Sequence, residues 1–266
     1  MNISVRNLHY TYPNGHTALH GFDLDIPAGQ RVAIVGQNGG GKTTLVRHLN
    51  GLFSPTSGDV LIGDWNTRQH PVHQLAARVG YVFQNPDEQL FCKTVQEEVE
   101  FGPRNLGFGA QRIEQLAGQA LTQTALLAHA HKNPYDLSPA WRKMVAIASV
   151  LAMDPAILVL DEPTTGQDAA GVARVAAVVA TAAAQGKTVI AISHDMDFVA
   201  ENFDRLIAIY DGRLLADGPT EQIMPQAGLL AQTGVEPAQL TRLGTALNLP
   251  TPILTQHGLL AALKQR

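Results

Sequence analysis

The stretch GQNGGGKT, residues 36–43, has the composition and spacing of a phosphate-binding loop. It follows an apolar run that predicts a strand and precedes a pattern that predicts a helix, which is the context such a loop needs. Glycines let backbone N–H groups turn towards phosphate oxygens. The Lys42 ammonium suits the β- and γ-phosphates, and the Thr43 hydroxyl is a candidate Mg²⁺ ligand. The predicted nucleotide-binding residues are Gly36, Asn38, Gly39, Gly40, Gly41, Lys42, Thr43 and Thr44.

Two adjacent carboxylates supply the second half of a nucleotide hydrolysis site. The sequence AILVLDEP, residues 156–163, predicts a buried strand that ends in Asp161 and Glu162. Ligands of open α/β sheets lie at the carboxyl ends of the strands. Asp161 is therefore a candidate Mg²⁺ ligand, and Glu162 is a candidate general base for a water that attacks the γ-phosphate. The alternative, a strand that ends in an acidic helix cap, is weakened by the phosphate loop.

The elements that must position these residues follow an α/β pattern. Apolar, β-branched runs predict buried strands at 31–36, 78–83, 156–161 and 188–193. Helices are predicted over 42–49 and 169–184. Runs without polar alternation are typical of a parallel sheet that is covered on both faces. The first thirty residues alternate apolar and polar side chains instead, which predicts antiparallel strands.

The predicted fold class is therefore α/β, a P-loop NTPase core with a mostly parallel sheet and an N-terminal antiparallel β subdomain. Residues 85–151 show glycines and a proline followed by helical patterns, which predicts a helical insertion. We place the nucleotide-binding domain at 1–225 and a small C-terminal helical extension at 226–266. In the extension, Leu240, Leu243 and Leu247 share one helical stripe, and a last short helix is predicted from residue 255.

Composition excludes several classes of function. The net charge of −4 over 266 residues, without a run of Lys or Arg, gives no indication of a nucleic-acid surface. Cys92 is the only cysteine, so no internal disulfide is possible. No signal-peptide core is evident, and no apolar run approaches the roughly 20 residues that cross a bilayer. The prediction is a soluble or peripheral protein whose membrane part, if it has one, lies in other chains.

With both halves of the site in place, residues 1–225 resemble the ATP-binding subunits of ABC transporters. The motifs that carry the resemblance are YTYPNG (10–15), VFQNP (82–86), TTGQD (164–168) and ISHD (192–195). The resemblance implies that Tyr12 stacks on the adenine of ATP, that Gln84 contacts Mg²⁺ and water, and that His194 contacts the γ-phosphate. The alternatives are that Tyr10 or Tyr12 packs on a strand face and that the histidine is structural.

Within the family, residues 81–91 and 95–107 resemble the energy-coupling factor branch, which imports vitamins or transition-metal ions. The resemblance implies three partners: a second ABC ATPase subunit with an intact signature motif, a transmembrane coupling subunit and a substrate-binding membrane subunit. It also implies a peripheral location on the cytoplasmic face of the cell membrane. In that branch, the helix after the glutamine loop helps to form a groove for the coupling subunit. Carboxylates make this groove acidic by prediction, unless they form a solvated face: Asp87, Glu88, Glu97, Glu98 and Glu100.

The family signature Leu-Ser-Gly-Gly-Gln is replaced by LSPAW, residues 137–141. Pro139 has no N–H to donate, Ala140 adds a methyl group where the backbone must approach closely, and Trp141 replaces an amide side chain. Ser138 remains as the predicted helix cap and as a remnant of the contact with the partner's ATP. Gln167 in TTGQD also departs from the leucine that the family usually has there.

The helix after this substituted signature is still predicted. Met144, Ile147, Ala148 and Leu151 are spaced as one core-facing stripe.

Family members pair head to tail, and each ATP lies between the phosphate loop of one subunit and the signature of the other. The substituted signature would therefore affect the ATP that the partner holds. We predict an asymmetric ATPase heterodimer that uses this chain's Lys42, Asp161 and Glu162 for hydrolysis. The alternatives are a non-hydrolysing structural subunit that binds ATP and a soluble ABC ATPase outside transport.

Overall fold

A computed structural model describes residues 1–249 and 252–264 of the chain. Its strands and helices run in chain order as β1 (Ile3–Thr11), β2 (Thr17–Ile26), β3 (Arg31–Val35), α1 (Lys42–Leu49), β4 (Ser57–Ile62), β5 (Trp65–Asn66), α2 (Val72–Leu75), β6 (Val79–Val82), α3 (Val95–Asn105), α4 (Ala110–Gln123), α5 (Pro139–Leu151), β7 (Ile157–Asp161), α6 (Ala169–Ala184), β8 (Thr188–Ile192), α7 (Met196–Asn202), β9 (Arg205–Tyr210), β10 (Arg213–Pro219), α8 (Thr220–Ile223), α9 (Ala227–Gln232), α10 (Gln239–Ala246) and α11 (Gln256–Lys264).

The central sheet has the order β10-β9-β3-β8-β7-β6, and every neighbouring pair is parallel except β9 with β10. All residues of β6, β7 and β8 are buried, because helices cover one face of this sheet and a second sheet covers the other. The predicted mostly parallel α/β core is therefore confirmed. Each of the four predicted strands is present, with its ends within one residue of the prediction.

The second sheet is antiparallel and has the order β2-β1-β4-β5. Its inner face packs on the central sheet through a cluster that includes Val5, Phe22 and Ile34. This arrangement confirms the antiparallel N-terminal subdomain. The strands β4 and β9 were not among the predicted elements, although β9 is a buried neighbour of β3.

Residues 85–151, all of them described, contain α3, α4 and α5 and no strand. Three of the four core positions predicted for α5 are buried, namely Met144, Ile147 and Ala148, while Leu151 is half-buried against the same core. The predicted stripe was too narrow, because every residue from Lys143 to Val150 is buried. Ser138 occupies the N-cap position as predicted, yet its side chain makes no capping hydrogen bond. The backbone N–H groups in the first turn of α5 therefore donate no hydrogen bond to the Ser138 side chain.

The extension contains α9, α10 and α11. The predicted last helix reached residue 266, and residues 265 and 266 lie outside the described part of the chain. The predicted leucine stripe on α10 is only partly covered, since Leu240 and Leu247 are half-buried. Leu243 is 43% exposed, whereas Thr241 and Gly244 are buried and Gly244 packs against Ile253. Among the described residues, each helix is too short or too polar to cross a bilayer.

Candidate functional site

A cavity of about 290 Å³ opens over the loop that joins β3 to α1. Its walls are Tyr12, His16, Ala18, Gly39, Gly40, Gly41, Lys42, Thr43 and Thr44. Parallel strands of an open sheet bind ligands at their carboxyl ends, and β3 delivers the loop to that edge. The cavity therefore lies where the GQNGGGKT motif predicts phosphate binding.

Two glycines of this loop are required by its backbone path. Gly36 has a φ of +150°, and a Cβ there would lie 2.2 Å from the carbonyl oxygen of Ile209. Gly41 has a φ of +101° at the start of α1, and its Cβ would lie 2.8 Å from the carbonyl oxygen of Ala18. Both positions combine a backbone conformation that side chains rarely adopt with a close approach of another chain segment.

Lys42 lies folded back under the loop. Its ammonium donates hydrogen bonds to the carbonyl oxygens of Gly36 at 2.6 Å and Gln37 at 2.9 Å. An ammonium has three donors, so one stays available for a phosphate oxygen. Burial lowers the pKa of Lys42, and the charges of Glu162 and Asp161 act in the opposite direction. Both carboxylates are therefore close enough to hold the lysine in its charged form.

Asp161 ends β7 beside the phosphate loop. Its Oδ2 accepts hydrogen bonds from the hydroxyl of Tyr81 at 2.6 Å and from Thr43 Oγ1 at 3.3 Å. Its Oδ1 is buried and has no hydrogen-bond partner in the described part of the chain. A buried carboxylate oxygen without a donor, next to a threonine hydroxyl, is a suitable donor set for a hard cation such as Mg²⁺. The residues present therefore fit the metal that the motifs imply.

Tyr81 was not singled out by the sequence. It lies on β6, which pairs with β7, and its hydroxyl faces the Asp161 carboxylate. Burial and the Asp161 charge raise the pKa of Tyr81, so its hydroxyl stays protonated and remains a donor. The only signal for it was a polar-tipped residue inside an apolar strand next to the acidic one.

Glu162 and His194 form the third part of the site. The Nε2 atom of His194 lies 3.3 Å from Oε1 of Glu162, and the backbone N–H of His194 donates to Oε2 at 3.4 Å. Glu162 has a φ of +48°, a conformation in which a non-glycine residue is strained and which is concentrated at functional sites. Its backbone N–H donates to the carbonyl of Ile192 on β8, which fixes this turn.

The electrostatic setting suits acid–base chemistry. Burial raises the pKa of Glu162, although hydrogen bonding to His194 and the Lys42 charge oppose this rise. Burial and the Lys42 charge lower the pKa of His194, so its imidazole is neutral at pH 7. A carboxylate of increased basicity next to a neutral imidazole can take a proton from water.

Tyr12 and Tyr10, left open as alternatives by the sequence, have different environments. Tyr10 stacks on Phe53 at a centroid distance of 5.0 Å and meets His48 edge-on. Tyr12 lines the cavity, and its hydroxyl lies 2.8 Å from Thr44 Oγ1. Both tyrosines contact the ring of Phe53 and each other, but only Tyr12 also lines the cavity, so Tyr12 stays the candidate for stacking on a base.

His16 lines the same cavity and was not among the residues predicted from the sequence. Its ring is nearly parallel to that of Tyr12, with an interplanar angle of 14°. The turn between β1 and β2 brings the two residues together, because the Tyr12 N–H donates to the His16 carbonyl at 2.8 Å. The Pro-Asn-Gly sequence of this turn was the available signal.

Besides Asp161, Glu162 and His194, four predicted residues do not line the cavity: Gly36, Asn38, Gln84 and Ser138. Asn38 is exposed on the phosphate loop and does not line the cavity. Gln84 follows β6, and its exposed side chain has no hydrogen-bond partner among the described residues. Ser138 is exposed at the start of α5, where it is not part of this chain's own nucleotide cavity. The geometry therefore groups Lys42, Thr43, Asp161, Glu162 and His194, and leaves Asn38, Gln84 and Ser138 outside.

The substituted signature and the TTGQD loop are in direct contact. Gln167 Nε2 donates a hydrogen bond to the carbonyl oxygen of Ala140 at 3.0 Å. The Arg174 guanidinium lies 4.6 Å from the centre of the Trp141 ring, a cation–π contact. The two departures from the family pattern therefore belong to one cluster, in which the Trp141 ring is packed within this chain.

A second, more apolar cavity of about 490 Å³ lies between α2 and α3. Its walls are Trp65, His73, Gln74, Ala76, Ala77, Phe101, Gly102, Asn105, Leu106 and Met153, with no carboxylate. Glu98 is buried and accepts the backbone N–H groups of Phe91 and Cys92, while Glu100 binds Gln96 and Arg104. The predicted acidic groove stays a prediction: Glu98 and Glu100 have partners within the chain, whereas Asp87, Glu88 and Glu97 are exposed.

Comparison with known proteins agrees with this geometry. A family model described as ABC transporter matches residues 19–165. A putative ABC transporter ATP-binding protein of Geobacter sulfurreducens is 45% identical over 235 residues, which cover 88% of this chain and 93% of that protein. The chain spans only 40% of the length of another relative, a putative ABC transporter ATP-binding protein of Methanosarcina acetivorans. The chain belongs to the ABC transporter family and is an ATP-binding ATPase of that class.

The branch of the family follows from two further similarities. The energy-coupling factor transporter ATP-binding protein EcfA of Methanothermobacter thermautotrophicus is 37% identical over 248 residues, covering 92% of this chain and 79% of that protein. CbiO1 of Clostridium perfringens, part of the ABC transporter complex CbiONQ, superimposes with a TM-score of 0.77 at 32% identity, covering 92% of this chain and 98% of that one. The resemblance to ATP-binding subunits of the energy-coupling factor type is therefore confirmed.

Replacement of Tyr12 by alanine is expected to weaken ATP binding. Loss of one base-stacking face costs about 1–3 kcal/mol, which corresponds to roughly 5–150-fold in Kd. Tyr12→Phe is the matched control, because it keeps the ring and removes only the hydroxyl near Thr44. Isothermal titration with ATP measures both variants. An unchanged Kd for Tyr12→Ala would show that the base lies elsewhere.

Proposed function

We propose that this chain binds ATP with Mg²⁺ and hydrolyses it to energise import of a substrate through a separate transmembrane complex. The observation that carries the proposal is the contact of Glu162 with His194, next to the Asp161 and Thr43 pair and the buried Lys42. This arrangement combines a base, a candidate metal site and a phosphate-binding cation at one edge of the sheet.

The proposed chemistry is an in-line attack of water on the γ-phosphorus. Glu162 accepts a proton from the water as its oxygen bonds to phosphorus, and the bond from the γ-phosphorus to the bridging oxygen breaks, leaving ADP. Lys42 and the N–H groups of residues 39–43 bind the phosphate oxygens. His194 orients the Glu162 carboxylate and faces the γ-phosphate. Thr43 and Asp161 would hold Mg²⁺, which neutralises charge on the phosphates when it is bound.

The second part of the proposal is an asymmetric pair of ATPase subunits. This chain supplies a complete phosphate-loop half, whereas its signature half carries Pro139, Ala140 and Trp141 in place of Gly, Gly and Gln. The composition of this segment supports the proposal, since Pro139 has no N–H to donate to a phosphate oxygen and Trp141 has replaced an amide side chain. The partner subunit's signature would complete the hydrolytic site here, while Ser138 would face the partner's ATP.

The third part concerns the membrane partners. We assign residues 1–225 to the nucleotide-binding domain and 226–266 to the extension. The apolar cavity between α2 and α3 is the proposed contact for the transmembrane coupling subunit, with the substrate-binding membrane subunit further away. Phe101 is 42% exposed at its wall, which favours apolar rather than basic side chains in the occupant. The chain would then lie at the cytoplasmic face of the membrane as a peripheral subunit.

The proposal is tested by ATPase measurements on the purified chain alone and on the chain co-expressed with a second ATPase subunit. We expect little turnover from the lone chain, because a homodimer would place the substituted signature at both ATP sites. Co-expression should restore turnover. Full activity of the lone chain would refute the asymmetry, and a partnered complex that binds ATP without hydrolysis would instead indicate a structural ATP-binding subunit.

A further inference from the structure

Lys143 lies buried in the second turn of α5, just after the substituted signature. It is 3% exposed, although lysine is almost never buried without a partner. Its ammonium donates hydrogen bonds to the backbone carbonyl oxygens of Phe83, at 3.2 Å, and of Gln84. Asp161 and Glu162 act on it electrostatically and favour its charged form. Burial nevertheless lowers the pKa of Lys143 to about 8.

The segment that Lys143 contacts is the glutamine loop after β6. A second contact ties the same segment to α5. Gln89 accepts the backbone N–H of Phe83 at 3.1 Å and donates to the Ala146 carbonyl at 2.8 Å and to Ser149 Oγ at 3.0 Å. Phe83 is thus held at its N–H by Gln89 and at its carbonyl by Lys143. The loop that carries Gln84 is therefore fixed to α5 from two directions.

Burying the Lys143 ammonium is energetically costly, so we expect its positive charge to have a role that a neutral side chain could not have. A buried charge is unfavourable unless donors and acceptors are matched, and two carbonyl oxygens satisfy only part of this requirement. A neutral donor would bind the same carbonyls without the charge. The charge faces the side of the protein on which Asp161 and Glu162 lie, and it balances those carboxylates together with Lys42.

We infer that Lys143 is a positioning residue for ATP hydrolysis at this chain's own site, an inference that rests on the function proposed above. It holds the backbone carbonyls of Phe83 and Gln84, and so fixes the position of the loop that carries Gln84 next to the β6 strand end. It also connects this loop to α5, the helix that begins at Pro139, Ala140 and Trp141. A movement of α5 at the partner's ATP would therefore be transmitted to the glutamine loop of this chain.

The test compares Lys143→Met, Lys143→Gln and Lys143→Arg in the complete complex with the partner ATPase and membrane subunits. We expect Lys143→Met to lower kcat about 10–100-fold, in line with the cost of a misplaced catalytic group. The Kd for ATP should change less than about twofold, because Lys42 and Tyr12 are untouched. Lys143→Arg keeps the donors and the charge, so it should retain kcat within about threefold of the wild type.

Lys187→Met is the matched control for loss of a covered lysine. Its ammonium contacts Asp154 at 2.6 Å, at the start of β8 and away from the nucleotide. It should lower the melting temperature but leave kcat unchanged. A kcat loss that Lys143→Arg does not rescue, or an unchanged kcat in folded Lys143→Met, would overturn the inference. If Lys143→Met does not fold, the same two outcomes are read from Lys143→Gln against Lys143→Arg.

ATPase activity of the wild-type complex distinguishes a failure of the proposed function from a failure of the positioning role of Lys143. If it binds ATP but has no ATPase activity, the proposed function fails and the Lys143 variants are not the cause. If it hydrolyses ATP and Lys143→Met or Lys143→Gln hydrolyses it equally fast, only the positioning role is refuted.

Discussion

Replacement of Glu162 by glutamine is expected to lower kcat for ATP by about 10²–10⁴-fold, the usual contribution of a positioned general base. The amide keeps the size of the side chain but cannot accept a proton from the attacking water. ATP should still bind, because the phosphate loop and Tyr12 are unchanged. Steady-state turnover of the complete complex measures the first effect, and equilibrium titration with ATP measures the second.

The pH dependence of the ATPase rate is an independent test of Glu162 as the general base. Hydrolysis needs the Glu162 carboxylate, and burial raises its pKa above that of an ordinary glutamate. The rate should therefore fall on acidification at a higher pH than an exposed glutamate would produce, and this limb should be absent in Glu162→Gln. Glu201→Gln, at an exposed position on α7, is the matched control and should leave both rate and profile unchanged. Turnover by Glu162→Gln within twofold of the wild type would contradict the assignment.

The parts of the fold that the sequence predicted are those with strong local signals. Continuous apolar runs become buried strands when both faces are covered, and 156–161 behaves in this way. The stripe of Leu240, Leu243 and Leu247 does not show which face of α10 is buried, because that face is set by a neighbouring segment. Ile253 packs on Gly244, a contact between segments that periodicity does not encode.

The residues of the candidate site also fall into two groups, those that the sequence predicted and those that it did not. The phosphate loop, Asp161 and Glu162 follow predicted strands, so the sequence was enough to group them, and the resemblance to the family implied His194. Tyr81, His16 and Lys143 were not predicted, since each meets its partner across a strand pair, a turn or a helix–loop contact. Lysine in particular is expected on the surface, and only the packing of α5 against the glutamine loop shows it to be buried.

The carboxylates around α3 have local partners that the sequence did not indicate. The resemblance predicted that they make a groove for the coupling subunit acidic, with a solvated helix face as the alternative. In the structure, Glu98 caps two backbone N–H groups, Glu97 completes a capping box with Thr94, and Glu100 pairs with Arg104. Carboxylates in the first turn stabilise the start of a helix, so Glu97 and Glu98 have a local role, and the acidic groove stays a prediction.

Restoration of the signature is expected to produce the largest gain of function. The change Pro139→Gly, Ala140→Gly and Trp141→Gln, with Gln167→Leu to release the Ala140 carbonyl contact, returns the family pattern. Recovery of lost donors to a transferring phosphoryl group is worth about 10²–10³ in rate, by analogy with oxyanion-hole donors. The gain should appear at the ATP that the partner subunit holds.

A background of Glu162→Gln isolates that site, because hydrolysis at this chain's own phosphate loop is then silent. In this background the restored variant should raise the residual turnover of the complex by about 10²-fold or more. The same substitutions in a complex whose partner lacks its phosphate-loop lysine should give no gain. Trp141→Gln also removes the contact with Arg174, so the melting temperature of each variant separates loss of packing from loss of chemistry. Unchanged residual turnover in a folded, restored complex would show that the second site is limited by the partner rather than by Pro139, Ala140 and Trp141.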